Sequence, residues 1–264
     1  MHIETRGEGT PLVIIHGFGV DHRIMLPLDP VLAGHGGWKR IYLDLPGMGR
    51  SPIGDVASSE DMAAAVTDAV REVTGGEPFA VLGASYGGML ARRLAHELPE
   101  QVLGLATLVG VFVAEHAKRD VPERTVLHED RAVFADAPAR LQAGYRGAAV
   151  WQSAAGFENF VESVQPGVDA ADPAALERVS SSYGFDVEPE DAASAPFTKP
   201  ALFITGRQDE VVGYADAWRR LEHYPRASFL VLDAAGHIII GEQPALVGAA
   251  LGEWLDRVRA HAAG

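Results

Sequence analysis

The chain contains no cysteine. That absence excludes disulfide staples, cysteine-ligated zinc or iron–sulfur centres, and a thiol nucleophile. No apolar stretch reaches the ~18 uninterrupted residues of a spanning helix. The first residues, Met1-His2-Ile3-Glu4-Thr5-Arg6, lack the basic start and apolar run of a secretory signal. The expectation is a cytoplasmic protein that does not engage membranes. Basic residues are also scarce, with 22 Lys and Arg against 36 Asp and Glu, a net charge of −14. No basic run interrupts that acidity, so nucleic acid is a poor partner, because phosphate contacts need clustered Lys and Arg.

What is present suits a packed interior. Hydrophobic residues make up 47% and charged residues 22% of the 264, too apolar for a disordered chain and long enough for a sizeable core. Short apolar runs alternate with helical patterns: Leu12 to Ile15, Ile41 to Leu43, Phe79 to Leu82, Leu103 to Val109, Ala201 to Thr205 and Phe229 to Leu232. Each has the length of a strand buried on both faces, and the alternation indicates an α/β fold, a mostly parallel central sheet flanked by helices. Ser59 is in position to cap a helix running through about Val73, with Met62, Val66, Ala69, Val70 and Val73 at helical spacing.

From about Phe112 the alternation stops and resumes at Lys199-Pro200. The intervening alanine-rich segment, with Asp172-Pro173 as a helix start, reads as a helical cap inserted between two halves of one sheet. The expected division is a core of residues 1–111 and 197–264 and a cap of residues 112–196.

Gly83-Ala84-Ser85-Tyr86-Gly87 fits G-x-S-x-G. Alone it is a weak signal in a chain with 29 glycines, where such a serine is commonly a turn residue. Here a strand runs directly into it and a helical pattern, Met89, Leu90, Leu94 and Leu98, follows. Strand, tight turn and helix are what a nucleophile elbow requires. A serine hydroxyl needs a base to take its proton and an acid to orient that base. His237 lies in the loop after the last apolar run, at the sheet edge where open α/β sheets bind ligands. Asp209 lies four residues beyond the run Ala201 to Thr205; its ordinary reading is a cap, and Glu210 is a rival acid. The order Ser85, Asp209, His237 is that of α/β-hydrolase triads.

Together with His16-Gly17-Phe18-Gly19 and Asp44-Leu45-Pro46-Gly47-Met48-Gly49-Arg50-Ser51, these segments resemble, in order, five motifs of the α/β-hydrolase superfamily. The resemblance implies Ser85 as nucleophile, His237 as general base, Asp209 as orienting acid, and an oxyanion hole of the backbone N–H groups of Phe18 and Tyr86. It further implies a substrate pocket walled by Phe18, Tyr86, Trp151 and Ile238, with His16 and Asp44 shaping loops. The first strand of such folds is expected to be short or missing, since only about ten residues precede Leu12. No metal or organic cofactor is implied, and oligomeric state is left open.

The function implied is hydrolysis of an ester or similar acyl compound in a small-molecule substrate, through an acyl-enzyme on Ser85. Cofactor-free perhydrolases or haloperoxidases, carbon–carbon bond hydrolases and ligand-binding proteins on the same scaffold are alternatives. The Ile238-Ile239-Ile240 run after His237 lacks the Trp that often follows the histidine in carbon–carbon bond hydrolases.

Overall fold

The computed structural model describes all 264 residues. Seven strands form one sheet: β1 (His2–Arg6), β2 (Thr10–Ile15), β3 (Trp38–Asp44), β4 (Phe79–Ala84), β5 (Val102–Leu108), β6 (Ala201–Gly206) and β7 (Ala227–Leu232). Their spatial order is β1-β3-β2-β4-β5-β6-β7. Only β1 is antiparallel, pairing with β3 from His2 opposite Asp44 to Arg6 opposite Arg40. Every residue of β4 and β6 is buried, as expected of strands covered on both faces.

The principal helices are α1 (Ser59–Thr74), α2 (Tyr86–Glu97), α3 (Ala139–Ala148), α4 (Pro173–Ser180) and α5 (Pro244–Ala262). Helices α1 and α2 pack on each other, while α5 lies against β5 and β6. There Trp254, fully buried, donates its indole N–H to Pro200 O at 3.2 Å. The main core runs without a break from β2 through β6 to α5.

The first strand is short: β1 is five residues long and completes the edge. Two sequence readings need correction. The cap of α1 is Ser58, whose side chain accepts from Asp61 N–H; Ser59 is the first helical residue and bonds instead to Tyr86 Oη at 2.8 Å. The fifth strand ends at Leu108, because Val109 turns into the left-handed region with φ 44°.

Between β5 and β6 most of the helical residues lie in separate helices between Ala139 and Ser180, with a π turn at Phe160–Val164, and residues 119–127 carry no helix. Extended residues there lead to a two-residue pairing of His128–Glu129 with Trp151–Gln152. Phe134, Tyr145, Ala149, Phe160 and Val164 form a second, small core of their own. Asp172 caps α4 by accepting from Ala174 and Ala175 N–H. The segment is fastened to α2 by Arg92, whose Nε and Nη2 reach Glu190 Oε1 and Oε2 at 2.6 and 2.5 Å. Both side chains are buried. Burial acts to raise the Glu190 pKa, but the Arg92 charge beside it prevails and holds the carboxyl at about 2.

Candidate active site

The site begins with a backbone constraint. Between β4 and α2 the chain reverses at Ser85, which adopts φ 52° and ψ −116°. The two glycines of the motif make this fit. A Cβ on Gly83 would stand 2.1 Å from Gly87 O, and one on Gly87 would stand 2.3 Å from Ile15 O. A larger residue at Gly83 would push α2 away from β4, and one at Gly87 would push it away from the end of β2. Ser85 N–H is tied to Leu108 O at 2.9 Å, and Ser85 O accepts from Gly88, Met89 and Val111. The hydroxyl is thereby held at the carboxyl edge of the sheet.

Two loops at the same edge meet it. After β6, Gln208 N–H donates to Ala235 O at 3.0 Å, and Gln208 Oε1 accepts from Ala235 N–H at 3.3 Å, lacing this loop to the one after β7. Asp209 is fully buried. Its Oδ1 caps its own turn, accepting from Val211 and Val212 N–H at 2.8 and 3.1 Å, and its Oδ2 faces His237 Nδ1 at 3.0 Å. Cap and partner of histidine are thus the same residue. Glu210 points away and pairs with Arg124 at 2.7 Å. On the far side of the imidazole, His237 Nε2 lies 3.0 Å from Ser85 Oγ. A carboxylate accepting from Nδ1–H selects the tautomer whose Nε2 lone pair faces the hydroxyl.

Above Ser85 runs the loop after β2. Gly17 passes so close that a Cβ there would be 3.2 Å from Ser85 Cβ. Phe18 N–H donates to no protein atom, and Tyr86 N–H opens α2, where helix geometry supplies no acceptor. His16 is fully buried beneath this loop. Its Nδ1–H donates to Gly17 O at 2.6 Å and its Nε2 accepts from Leu45 N–H at 2.9 Å. Burial pushes its pKa down to about 4, leaving a neutral ring that ties the two loops. Asp44 accepts from His22 and Arg50 N–H, both at 3.0 Å, and so shapes the loop after β3.

A family model for the alpha/beta hydrolase fold matches residues 10–244. The chain belongs to the α/β-hydrolase fold family. A structure of an alpha/beta superfamily hydrolase from Oenococcus oeni superposes with a TM-score of 0.90 at 26% identity, covering 97% of this chain and 96% of that one. The pimeloyl-[acyl-carrier protein] methyl ester esterase of Xanthomonas campestris is 28% identical over 248 residues, 90% of this chain and 91% of the relative. The esterase of the same name from Shewanella woodyi is 37% identical, but over 110 residues only. That match spans 41% of this chain and 39% of the relative's length. No helix of this α/β hydrolase is long and apolar enough to cross a membrane.

A cavity of about 130 Å³ opens on Ser85 and His237. Phe18 and Ile238 line it, but two other residues expected there do not. The Tyr86 ring is fully buried in a three-ring cluster with Phe18 and Tyr183, and its hydroxyl bonds to Ser59. Trp151 stacks on His128 at the protein surface, 40% exposed. The walls are instead Val20 and Ile24 after the Phe18 loop, Leu108 and Val109 at the end of β5, Asn159 and Val164 from the inserted segment, and Ile239 and Ile240 after His237. Val109 could have been found from its place at the carboxyl end of a parallel strand. Asn159 and Val164 carry no comparable signal, since nothing in a segment without strand–helix alternation shows which helix face meets the sheet.

Glu242 was also missed. Its carboxylate accepts from Gly236 N–H at 2.6 Å and from Val150 N–H at 2.7 Å, joining the histidine loop to the inserted segment. Burial raises its pKa.

Proposed function

We propose that this α/β hydrolase cleaves a small carboxylic ester through an acyl-enzyme on Ser85. The observation that carries the proposal is the unbroken chain Asp209 Oδ2, His237 Nδ1, His237 Nε2, Ser85 Oγ, with both contacts at 3.0 Å. Ser85 Oγ attacks the ester carbonyl carbon while its proton passes to His237 Nε2. Asp209 stabilises the resulting imidazolium. The carbonyl oxygen takes up the negative charge, and the N–H groups of Phe18 and Tyr86 receive it; donors so placed are typically worth ~10²–10³ in rate. The proton on His237 then goes to the departing alkoxide. In the second half His237 takes a proton from water, which attacks the acyl-enzyme and releases the acid, restoring Ser85.

The ester is the part of the relatives' printed activity that this reading adopts. The acyl group must suit an apolar cavity of about 130 Å³, close to the ~150 Å³ that accommodates a benzene ring. Residues 112–196 act as the cap, supplying Asn159 and Val164 to the wall opposite the sheet.

The test is hydrolysis of p-nitrophenyl acetate and butyrate by the purified protein and by Ser85→Ala, together with labelling by a fluorophosphonate. The wild type should turn over many times and label once per chain. The variant should do neither, leaving only the ~10³–10⁴ acceleration over water that binding and the oxyanion hole supply. Retention of about a tenth of wild-type kcat by Ser85→Ala would remove the serine from its role.

A further inference from the structure

At the β1 edge, away from Ser85, His2 and Glu4 stand two residues apart on one strand, and so on one face of it. His22, nearly buried in the turn after β2, faces them with both ring nitrogens against carboxylates: Nδ1 is 2.6 Å from Asp44 Oδ1 and Nε2 is 3.4 Å from Glu4 Oε2. A neutral His22 that donates Nδ1–H to Asp44 turns its Nε2 lone pair toward Glu4. A positive charge is needed between them. A proton on Nε2 is one way to supply it.

His2 adds what a proton does not explain. Its Nε2 is buried and has no hydrogen-bond partner. A ring nitrogen of His2, a ring nitrogen of His22 and a carboxylate oxygen of Asp44 lie within 4.8 Å of one another. The two imidazole centroids are 5.9 Å apart, against roughly 5 Å for two imidazoles sharing one tetrahedral ion at 2.0–2.1 Å from each nitrogen. Asp44 Oδ1 and His22 Nδ1, 2.6 Å apart, share a proton that a bound ion would displace.

We propose that His2, His22 and Asp44, with Glu4 beside His22, form a binding site for a divalent transition ion of the zinc class. The donors are two imidazoles and a carboxylate, a set that suits zinc, cobalt(II) or nickel and disfavours calcium or magnesium. The ion joins three pieces of chain: the β1 edge, the turn after β2 and, through Asp44, the end of β3. It is independent of the ester chemistry, and its role is to fix the edge strand and the base of the Phe18 loop.

The experiment uses the full, untagged chain after treatment with a chelator. Calorimetric titration with zinc chloride should give one equivalent of uptake and a Tm several degrees higher, and cobalt(II) should develop the visible absorption of a tetrahedral site. His2→Ala, at the start of an edge strand where refolding is not at risk, should weaken uptake at least tenfold and abolish the cobalt band; Glu4→Gln should weaken it less. The chain carries ten histidines, so zinc uptake that is unchanged in His2→Ala is surface binding and overturns the site. No saturable uptake at all would mean that the charge at His22 is a proton only, and overturns it as well.

Discussion

Glu242 Oε2 accepts a 2.6 Å hydrogen bond from the backbone N–H of Gly236, the residue immediately before His237. The other oxygen accepts from Val150 and Trp151 N–H, so one carboxylate sets both the histidine loop and the segment above it. An amide at this position places an NH₂ against one of the N–H donors. Glu242→Gln should therefore lower kcat by about one to two orders of magnitude, the range for displacing a reacting group by an ångström or less. KM should hardly move, because Glu242 does not line the cavity. Steady-state kinetics on p-nitrophenyl butyrate separate the two; a rise in KM alone would assign Glu242 to substrate binding.

Asp209 and Glu210 are adjacent in sequence and opposite in situation. Asp209→Asn should cost ~10⁴ in acylation rate, because an amide neither stabilises the imidazolium nor enforces the same tautomer. Glu210→Gln loses a partly exposed pair with Arg124 and should stay within a few-fold of wild type, exposed ion pairs being worth ~0–1 kcal/mol. Single-turnover kinetics of the two variants provide the comparison, and equal rates would count against Asp209.

The cavity predicts acyl size. Each buried methylene gains ~0.8 kcal/mol until the wall is reached, so kcat/KM for p-nitrophenyl esters should climb over the shortest chains and then fall. Val164→Ala should move the optimum to a longer chain, since Val164 closes the cavity from the inserted segment. An optimum that does not shift would mean that the acyl group lies elsewhere.

His16 makes stability depend on pH. Its ring is neutral in the folded protein, with the pKa lowered by burial from 6.5 to about 4. Between those values the unfolded chain binds the proton and the folded one does not. The contribution of the neutral ring is therefore complete above about pH 6.5 and is lost progressively as pH falls toward 4. Urea midpoints should drop between pH 7 and 4.5 in the wild type, with a smaller drop in His16→Gln, although that variant starts less stable. Parallel pH slopes would place the titration on other groups.

The elements that sequence resolves are those whose environment is set locally. Runs such as Phe79 to Leu82 are apolar throughout because both of their faces are covered, Gly83 is glycine because the end of β4 nearly touches α2, and Gly87 is glycine because α2 nearly touches the end of β2. The order of Ser85, Asp209 and His237 follows from loops at one edge of a parallel sheet. β1 is harder to read: His2-Ile3-Glu4-Thr5-Arg6 carries a single apolar residue, Ile3, and looks like a tail until β3 is seen beside it. The Tyr86 and Trp151 assignments failed for other reasons. For Tyr86, proximity in sequence to Ser85 fixes the backbone but not the side chain, and Ser59 decides where the ring goes. Trp151 lies in a segment whose pattern does not show which face meets the sheet, and its ring stacks on His128.

Three residues other than glycine have positive φ: Ser85 at 52°, Val109 at 44° and Ala234 at 52°. All follow closely on strand ends at the carboxyl edge of the sheet, and two of them line the cavity. Such backbone costs about 1–3 kcal/mol per residue, and most for a β-branched side chain such as Val109. Laboratory evolution for heat resistance, if blind to turnover, would therefore be drawn to glycine at these positions. It would deliver a sturdier protein by filing away the edge on which the reaction is cut.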